Sequence, residues 1–259
     1  MVVFSPGFTA TFTDYTFLTE DLASRGYIVA VVAHTYESTV VELGDGRLAK
    51  SIVGSHLGGP MKGDDKSLST AAYVRMLDLN AAVGELERLN SRDPVLRKKL
   101  DLSRIAVAGH SLGALSALLD AQVEPRFKAA ILMDGPVPSA LPSATKKPVL
   151  LMAAGRERWE PSECRLWNNL AGPRFAVNFP GAEHVAMGDW IWLTRNSVEA
   201  GPMGPEKTMA AIREYVAAFL DAHLGGTESE RARERLLGAS AEYPEAAAVR
   251  QEQPLCGKP

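Results

Sequence analysis

Apolar residues in this chain come in short, near-continuous runs, separated by longer stretches in which they recur every three to four positions. The runs are Val2–Phe4, Tyr27–Ala33, Arg104–Ala108, Lys128–Met133, Pro148–Met152 and Phe175–Asn178. Strands that read as continuous apolar runs are those covered on both faces, as in a parallel sheet. Helical periodicity marks the segments at about 14–25, 70–90, 112–122, 162–170 and 206–223. Strand and helix in alternation predict an α/β fold: a doubly wound, mainly parallel sheet with helices on both faces. Two stretches fall outside the pattern. From Glu37 to Thr70 the chain is rich in Gly, Ser and Lys and too long for an ordinary connection, which marks a functional loop. After Leu224 a Gly-Gly break leads into an Ala/Glu/Arg-rich segment, so the expected division is a main domain over 1–224 and a helical or extended tail over 225–259.

Composition narrows the picture. At 259 residues, 46% hydrophobic and 23% charged, the chain suits one domain with a sizeable core. A net charge of −3 argues against nucleic acid as a partner. No apolar run approaches the roughly 20 residues that span a bilayer. The opening "MVVFSPGF" lacks the charged region and long apolar stretch of a signal peptide. Two cysteines, Cys164 and Cys256, allow one bridge, exclude a disulfide framework, and fit two unpaired thiols equally well. Compartment and oligomeric state have no signal in the sequence.

The chemistry centres on "DLSRIAVAGHSLGALSALLDA", residues 101–121. Gly109 and Gly113 are poor formers of both strand and helix, so propensity does not explain them. A G-x-S-x-G that closes a strand and opens a helix is the signature of a sharp turn that lifts its serine out of the sheet. The helix start behind Ser111 also presents free N–H groups and a positive dipole end. Ser111 is therefore the candidate nucleophile. Its hydroxyl needs a base, and the base an orienting carboxylate. Of the five histidines, His110 points away across the turn, His34 follows a strand, His56 lies in the long loop and His223 ends a helix. His184, in "NFPGAEHVAMGDW" just beyond the last strand, is the candidate base, because loops at the carboxyl ends of strands converge on the site. Two acids follow the serine and precede this histidine. Asp134 ends "KAAILMD" before a stiff "GPVP" turn and is preferred; Glu157, one strand later in an Arg-rich stretch, is the alternative acid. The oxyanion hole needs two N–H donors, expected from Leu112 and from Phe8 in "FSPGFTATFTDY". No His-rich cluster has metal-ligand spacing, and neither metal nor cofactor is expected.

The stretch "VVFSPGFTATFTDYTFLTEDLASRGYIVAVVAH" resembles the oxyanion loop, helix and following strand of the platelet-activating-factor acetylhydrolase-like branch of the α/β-hydrolase superfamily. It is also similar to the bacterial cutinase and polyester-hydrolase branch, which shares the S-P-G-[FY]-T stretch. "LDLSRIAVAGHSLGA" and "FPGAEHVAMGD" resemble the first branch, and chlorophyllases are similar around the strand ending in Asp134. The likeness runs from about residue 2 to 224. It implies an α/β-hydrolase fold and a serine carboxylester hydrolase with Ser111, Asp134 and His184 as triad and Phe8 and Leu112 as oxyanion hole. The first branch carries its acid where Asp134 stands, the second one strand later, where this chain has Glu157. The chain departs from the family by beginning at the strand before the oxyanion loop, so the leading antiparallel strands are missing and the N-terminus reads as incomplete. Ala114 also stands where a second glycine is common. The implied substrate is a small-molecule or lipid-like ester with an apolar or aromatic acyl group. Phe8, Tyr15, His110, Trp159 and Trp190 are expected as pocket walls, although "GDWIWL", with Trp190 and Trp192, reads more readily as core packing. Alternatives are a polyester, cutin-type or chlorophyllase-like esterase, an acyltransferase on the same triad, and a ligand-binding protein without catalysis.

Overall fold

The computed structural model describes residues 1–53, 65–140, 144–155, 159–195, 198–225, 231, 234–236, 241–250 and 256. Its elements in chain order are β1 (Val2–Ser5), α1 (Thr16–Ser24), β2 (Val29–Val31), β3 (Val40–Glu42), β4 (Leu48–Lys50), α2 (Asp65–Arg92), β5 (Ile105–His110) and α3 (Leu112–Val123). There follow β6 (Phe127–Met133), β7 (Val149–Ala154), α4 (Pro161–Asn169), β8 (Arg174–Phe179), α5 (Trp190–Leu193), α6 (Gly204–Leu224) and β9 (Ala247–Arg250). All six apolar runs form strands of one sheet, ordered β2-β1-β5-β6-β7-β8-β9. The pairs from β2 to β8 are parallel and β9 joins β8 antiparallel.

Alternation along the strands sorts the core into two layers. Val3, Val107, Leu132, Leu151 and Ala176 face α2, α3 and α4, where they meet Leu79, Leu115, Leu118 and Trp167. Phe4, Ala108, Ile131, Met152 and Val177 face α1 and α6, packing against Leu18, Leu22, Ile212, Tyr215 and Phe219. Each strand therefore buries both faces, which is why its sequence shows no polar alternation.

The structure adds three elements to the sequence reading. The Gly-rich stretch after Glu37 contains the β3–β4 hairpin, closed at Asp45-Gly46 with Gly46 at φ 81°. Three-residue strands with exposed side chains leave no hydrophobic pattern, but the Asp-Gly pair is itself a turn signal. Beyond Leu224, β9 covers the outer edge of β8. Cys164 and Cys256 form a disulfide with Cα atoms 5.8 Å apart, which decides between the bridge and the two free thiols that the sequence left open. No helix among the described residues is long and apolar enough to cross a membrane.

Strand order fixes where a site can form. The chain leaves β1 towards β2 on one side and returns with β5 on the other. The loops after β1 and β5 therefore diverge at their carboxyl ends and open a crevice, the switch point at which doubly wound sheets bind ligands.

Candidate active site

Ser111 sits at the β5–α3 turn with φ 55° and ψ −124°, a conformation rare outside glycine. Backbone strain of this kind costs about 1–3 kcal/mol and persists only where the surroundings enforce it. Here the Ser111 N–H donates to Met133 O at 2.8 Å, hooking the turn to the end of β6. The flanking glycines let the turn close. A Cβ on Gly109 would lie 2.3 Å from Gly113 O, and one on Gly113 would lie 2.0 Å from Ser5 O. The serine turn thus rests directly on the loop that follows β1.

Asp134 repeats the device one strand along. It has φ 47°, and its N–H donates to Met152 O at 2.6 Å. Its buried carboxylate accepts the Ala154 N–H on Oδ1 at 3.1 Å and His184 Nδ1 on Oδ2 at 2.5 Å. His184 opens a short 3-10 turn beyond β8, with half of its side chain exposed. With Nδ1 held by Asp134, Nε2 is left for the cleft. Ser111 and His184 line the same cleft, and no direct hydrogen bond joins their side chains among the described residues. Such bonds are often long before substrate arrives. Glu157, the alternative acid, and His56 lie outside the described residues.

The cleft has a volume of about 570 Å³. Phe8, Tyr15, His110 and Trp190 line it, together with Thr9, Thr39, Val185 and Leu193. Trp159 does not. It lines a separate hollow with Leu115, Leu118 and Leu166, because α4 lies on the α2–α3 face of the sheet. The packing reading of "GDWIWL" is also corrected. Of its four large apolar residues only Ile191 is buried; Trp190 and Trp192 are 54% and 49% exposed, since residues two apart on the helical turn of α5 cannot both face the core with Ile191. Trp192 borders a neighbouring groove with Thr16, Phe17 and Arg213.

Neither Phe8 N–H nor Leu112 N–H has an acceptor among the described residues. A Cβ on Gly7 would lie 3.6 Å from Ser111 Cβ, so the loop after β1 runs alongside Ser111. His110 ties this loop to His184. Its Nε2 lies 3.1 Å from His184 O and, facing a carbonyl, must donate. Nδ1 is then the acceptor for the Tyr15 hydroxyl at 2.8 Å, and that hydroxyl accepts the Gly7 N–H at 2.8 Å. Burial, reinforced by the neighbouring His184, holds His110 neutral by pushing its pKa down to about 3. Burial raises Tyr15 well above the usual phenol range, keeping the proton this chain of bonds requires. Asp189 adds a second tie: it accepts the Thr16 and Phe17 N–H groups at 2.7 and 2.9 Å, fastening the His184 loop to α1. No local signal could have exposed it, because its partners are 173 and 172 positions away.

A sequence profile described as the alpha/beta hydrolase family matches residues 2–256. The platelet-activating factor acetylhydrolase of Canis lupus familiaris is 25% identical over an alignment of 260 positions, gaps included, that covers 87% of this chain and 57% of that protein. Cutinase 1 of Thermobifida cellulosilytica is 30% identical over 130 residues, 50% of this chain and 37% of the cutinase. Among solved structures, a ferulic acid esterase from Streptomyces cinnamoneus superposes with a TM-score of 0.77 at 33% identity, covering 96% of this chain and 73% of that one. The chain thus spans little more than half the length of the acetylhydrolase it matches.

Proposed function

Because this chain belongs to the alpha/beta hydrolase family, we propose that it hydrolyses carboxylic esters with Ser111, His184 and Asp134 as its triad. His184 Nε2 takes the proton of Ser111 as the hydroxyl attacks the ester carbonyl. Asp134 holds the imidazole in the right tautomer and stabilises the imidazolium. The Phe8 and Leu112 N–H groups stabilise the oxyanion, each such donor being worth about 3–4 kcal/mol in the transition state. His184 returns its proton to the leaving alcohol, and a water activated by the same nitrogen then releases the acid. The observation that carries this reading is the 2.5 Å bond to a buried Asp134 from His184, which lines the cleft that Ser111 enters from a strained turn. All of these residues fall within 1–224, which we read as the catalytic domain, with 225–259 as its tail.

The substrate class follows from the walls of the cleft. Phe8, Val185, Trp190 and Leu193 offer apolar and aromatic surface beside Ser111, which suits an apolar acyl or aromatic acid ester. The likeness to a ferulic acid esterase supports the aromatic end of that range.

The test is hydrolysis of p-nitrophenyl esters from C2 to C12 and of methyl ferulate by wild type and four variants. Ser111→Ala, His184→Ala and Asp134→Asn are each expected to lose kcat by about 10⁴-fold or more. Glu157→Gln is expected to stay active. An inactive Glu157→Gln beside an active Asp134→Asn would move the acid one strand on, and a wild type silent on every ester would sink the reading.

A further inference from the structure

Arg75 is buried to 1% exposure although it lies on α2, a helix that contributes nothing to the triad. All five N–H bonds of its guanidinium are satisfied. Nε donates to Glu37 Oε2 at 2.7 Å and Nη2 to Glu37 Oε1, a two-pronged ion pair. The other N–H of Nη2 donates to Gly7 O at 3.0 Å, and Nη1 donates to Pro6 O and, at 3.3 Å, to Ser5 Oγ. Besides Glu37, it thus grips three consecutive residues, the end of β1 and the start of the loop that runs beside Ser111.

What this does to the loop follows from peptide geometry. In a trans peptide the C=O and the next N–H point in opposite directions. Arg75 pulls Pro6 O to the α2 side, so the Gly7 N–H points to the other side, where the Tyr15 hydroxyl takes it at 2.8 Å. Arg75 also pulls Gly7 O to the α2 side, so the Phe8 N–H must point to the side on which Gly7 faces Ser111. Two successive N–H groups thus point to that side; the Tyr15 hydroxyl takes the first, and the second has no acceptor among the described residues. We infer that Arg75 is a positioning residue for the oxyanion hole: clamped by Glu37, it fixes the Pro6 and Gly7 carbonyls and thereby aims the Phe8 N–H at the reacting carbonyl of the substrate. The inference rests on the reading of Ser111 as nucleophile given above.

A second Ser–His–Asp run backs the clamp. Ser5 Oγ lies 2.8 Å from His34 Nε2, and His34 Nδ1 lies 2.8 Å from Asp78 Oδ2. This is not a second catalytic triad, because Ser5 is fully buried and its oxygen accepts from the Arg75 guanidinium. Its hydroxyl must then donate to His34, whose other nitrogen donates to Asp78. The run extends the clamp from β1 through the end of β2 to α2, on the far side of the loop from the substrate.

The test compares kcat, KM and the Ki of an arylboronic acid for wild type, Arg75→Met and Arg75→Lys, with Ser111→Ala as the inactive control. A boronate adduct on serine places an anionic oxygen in the hole, so its affinity reports on the aim of the Phe8 N–H. Both Arg75 variants are expected to bind substrate within about threefold of wild-type KM. Arg75→Met should lose kcat by about 10²-fold, the scale of one lost oxyanion donor, and weaken boronate binding in step. Lysine keeps the charge but has no fork to hold two carbonyls and a carboxylate together, so Arg75→Lys should lose kcat at least tenfold. It also keeps the test alive if Arg75→Met does not fold. Wild-type kcat in folded Arg75→Lys, or a fall in kcat with boronate affinity unchanged, would overturn the inference. A wild type without esterase activity would overturn both readings, whereas an active wild type beside equally active Arg75 variants overturns this one alone.

Discussion

His110 shows how one side chain in the serine turn can be specified by groups far from it in sequence. It is sandwiched between the Tyr15 hydroxyl and the backbone of His184, and it works there only as a neutral ring that accepts on Nδ1 and donates on Nε2. Its depressed pKa carries a sign for stability. In the unfolded chain a histidine takes up a proton near pH 6.5, whereas in the folded protein His110 refuses it until about pH 3. The unfolded state therefore binds more protons across that window, and stability is lost as pH falls through it. The expected outcome is that His110→Gln, which retains a donor for His184 O, narrows the loss of Tm between pH 6.5 and pH 4. Thermal melts of both proteins across that range check it, and parallel curves would show that His110 is not the group responsible. Ser111, Asp134 and His184 were legible as candidates because their signals are local: glycines at fixed offsets, a strand end, a turn. Tyr15 could be proposed for the cleft, but its bonds to Gly7 and His110 could not. Arg75 and Asp189 were invisible, since each acts on backbone groups 68 or more positions away and sits in a helix or turn that reads as ordinary.

At the scale of elements, α3 is the most constrained segment, wedged between the sheet and α2 with nearly every side chain buried. One of them is Asp120. Its Oδ1 accepts Asn80 Nδ2 from α2 at 2.9 Å, and its Oδ2 is buried with no hydrogen-bond partner among the described residues. Burial pushes its pKa up to about 7, against the ordinary 3.8. The sign here is opposite to that of His110. The folded protein holds a proton the unfolded chain has released, so the contribution is fully present below about pH 4 and lost as pH rises through 7. Asp120→Asn, which cannot ionise, is expected to raise Tm by several degrees at pH 8 and by little at pH 4. Equal shifts at both pH values would assign the effect to packing instead of charge. The elements themselves were legible where burial on both faces left an apolar run or a helical stripe, as in β5, β6, β7 and α6. They were not legible where structure comes from a partner. The segment of β9 is Ala-rich and has no strand pattern; it becomes a strand because the outer edge of β8 offers unpaired backbone groups.

The molecule as a whole divides into a site built at one end of the sheet's centre and a seal built at its edge. Phe8, Ser111, Asp134 and His184 follow β1, β5, β6 and β8, all at carboxyl ends. The seal is β9 with the Cys164–Cys256 bridge, which joins the segment after β9 to α4 and closes a loop of 92 residues. A cross-link over a loop of that length stabilises by about 3–5 kcal/mol, chiefly by restricting the unfolded chain. In a protein of this size that corresponds to roughly 5–15 °C in Tm. Neither cysteine lines the cleft, and the hydrogen bonds described above for Ser111, Asp134 and His184 run to β6, β7 and one another, not to α4 or β9. Stability and activity should therefore separate. Cys256→Ser, or wild type treated with a thiol reductant, is expected to melt lower by that margin while keeping wild-type kcat and KM at 25 °C. Calorimetry beside ester hydrolysis on the same samples measures both. A Tm unmoved by reduction would mean that the bridge adds no constraint beyond β9 itself. A fall in kcat at 25 °C with the fold intact would mean that the edge of the sheet bears on the site after all.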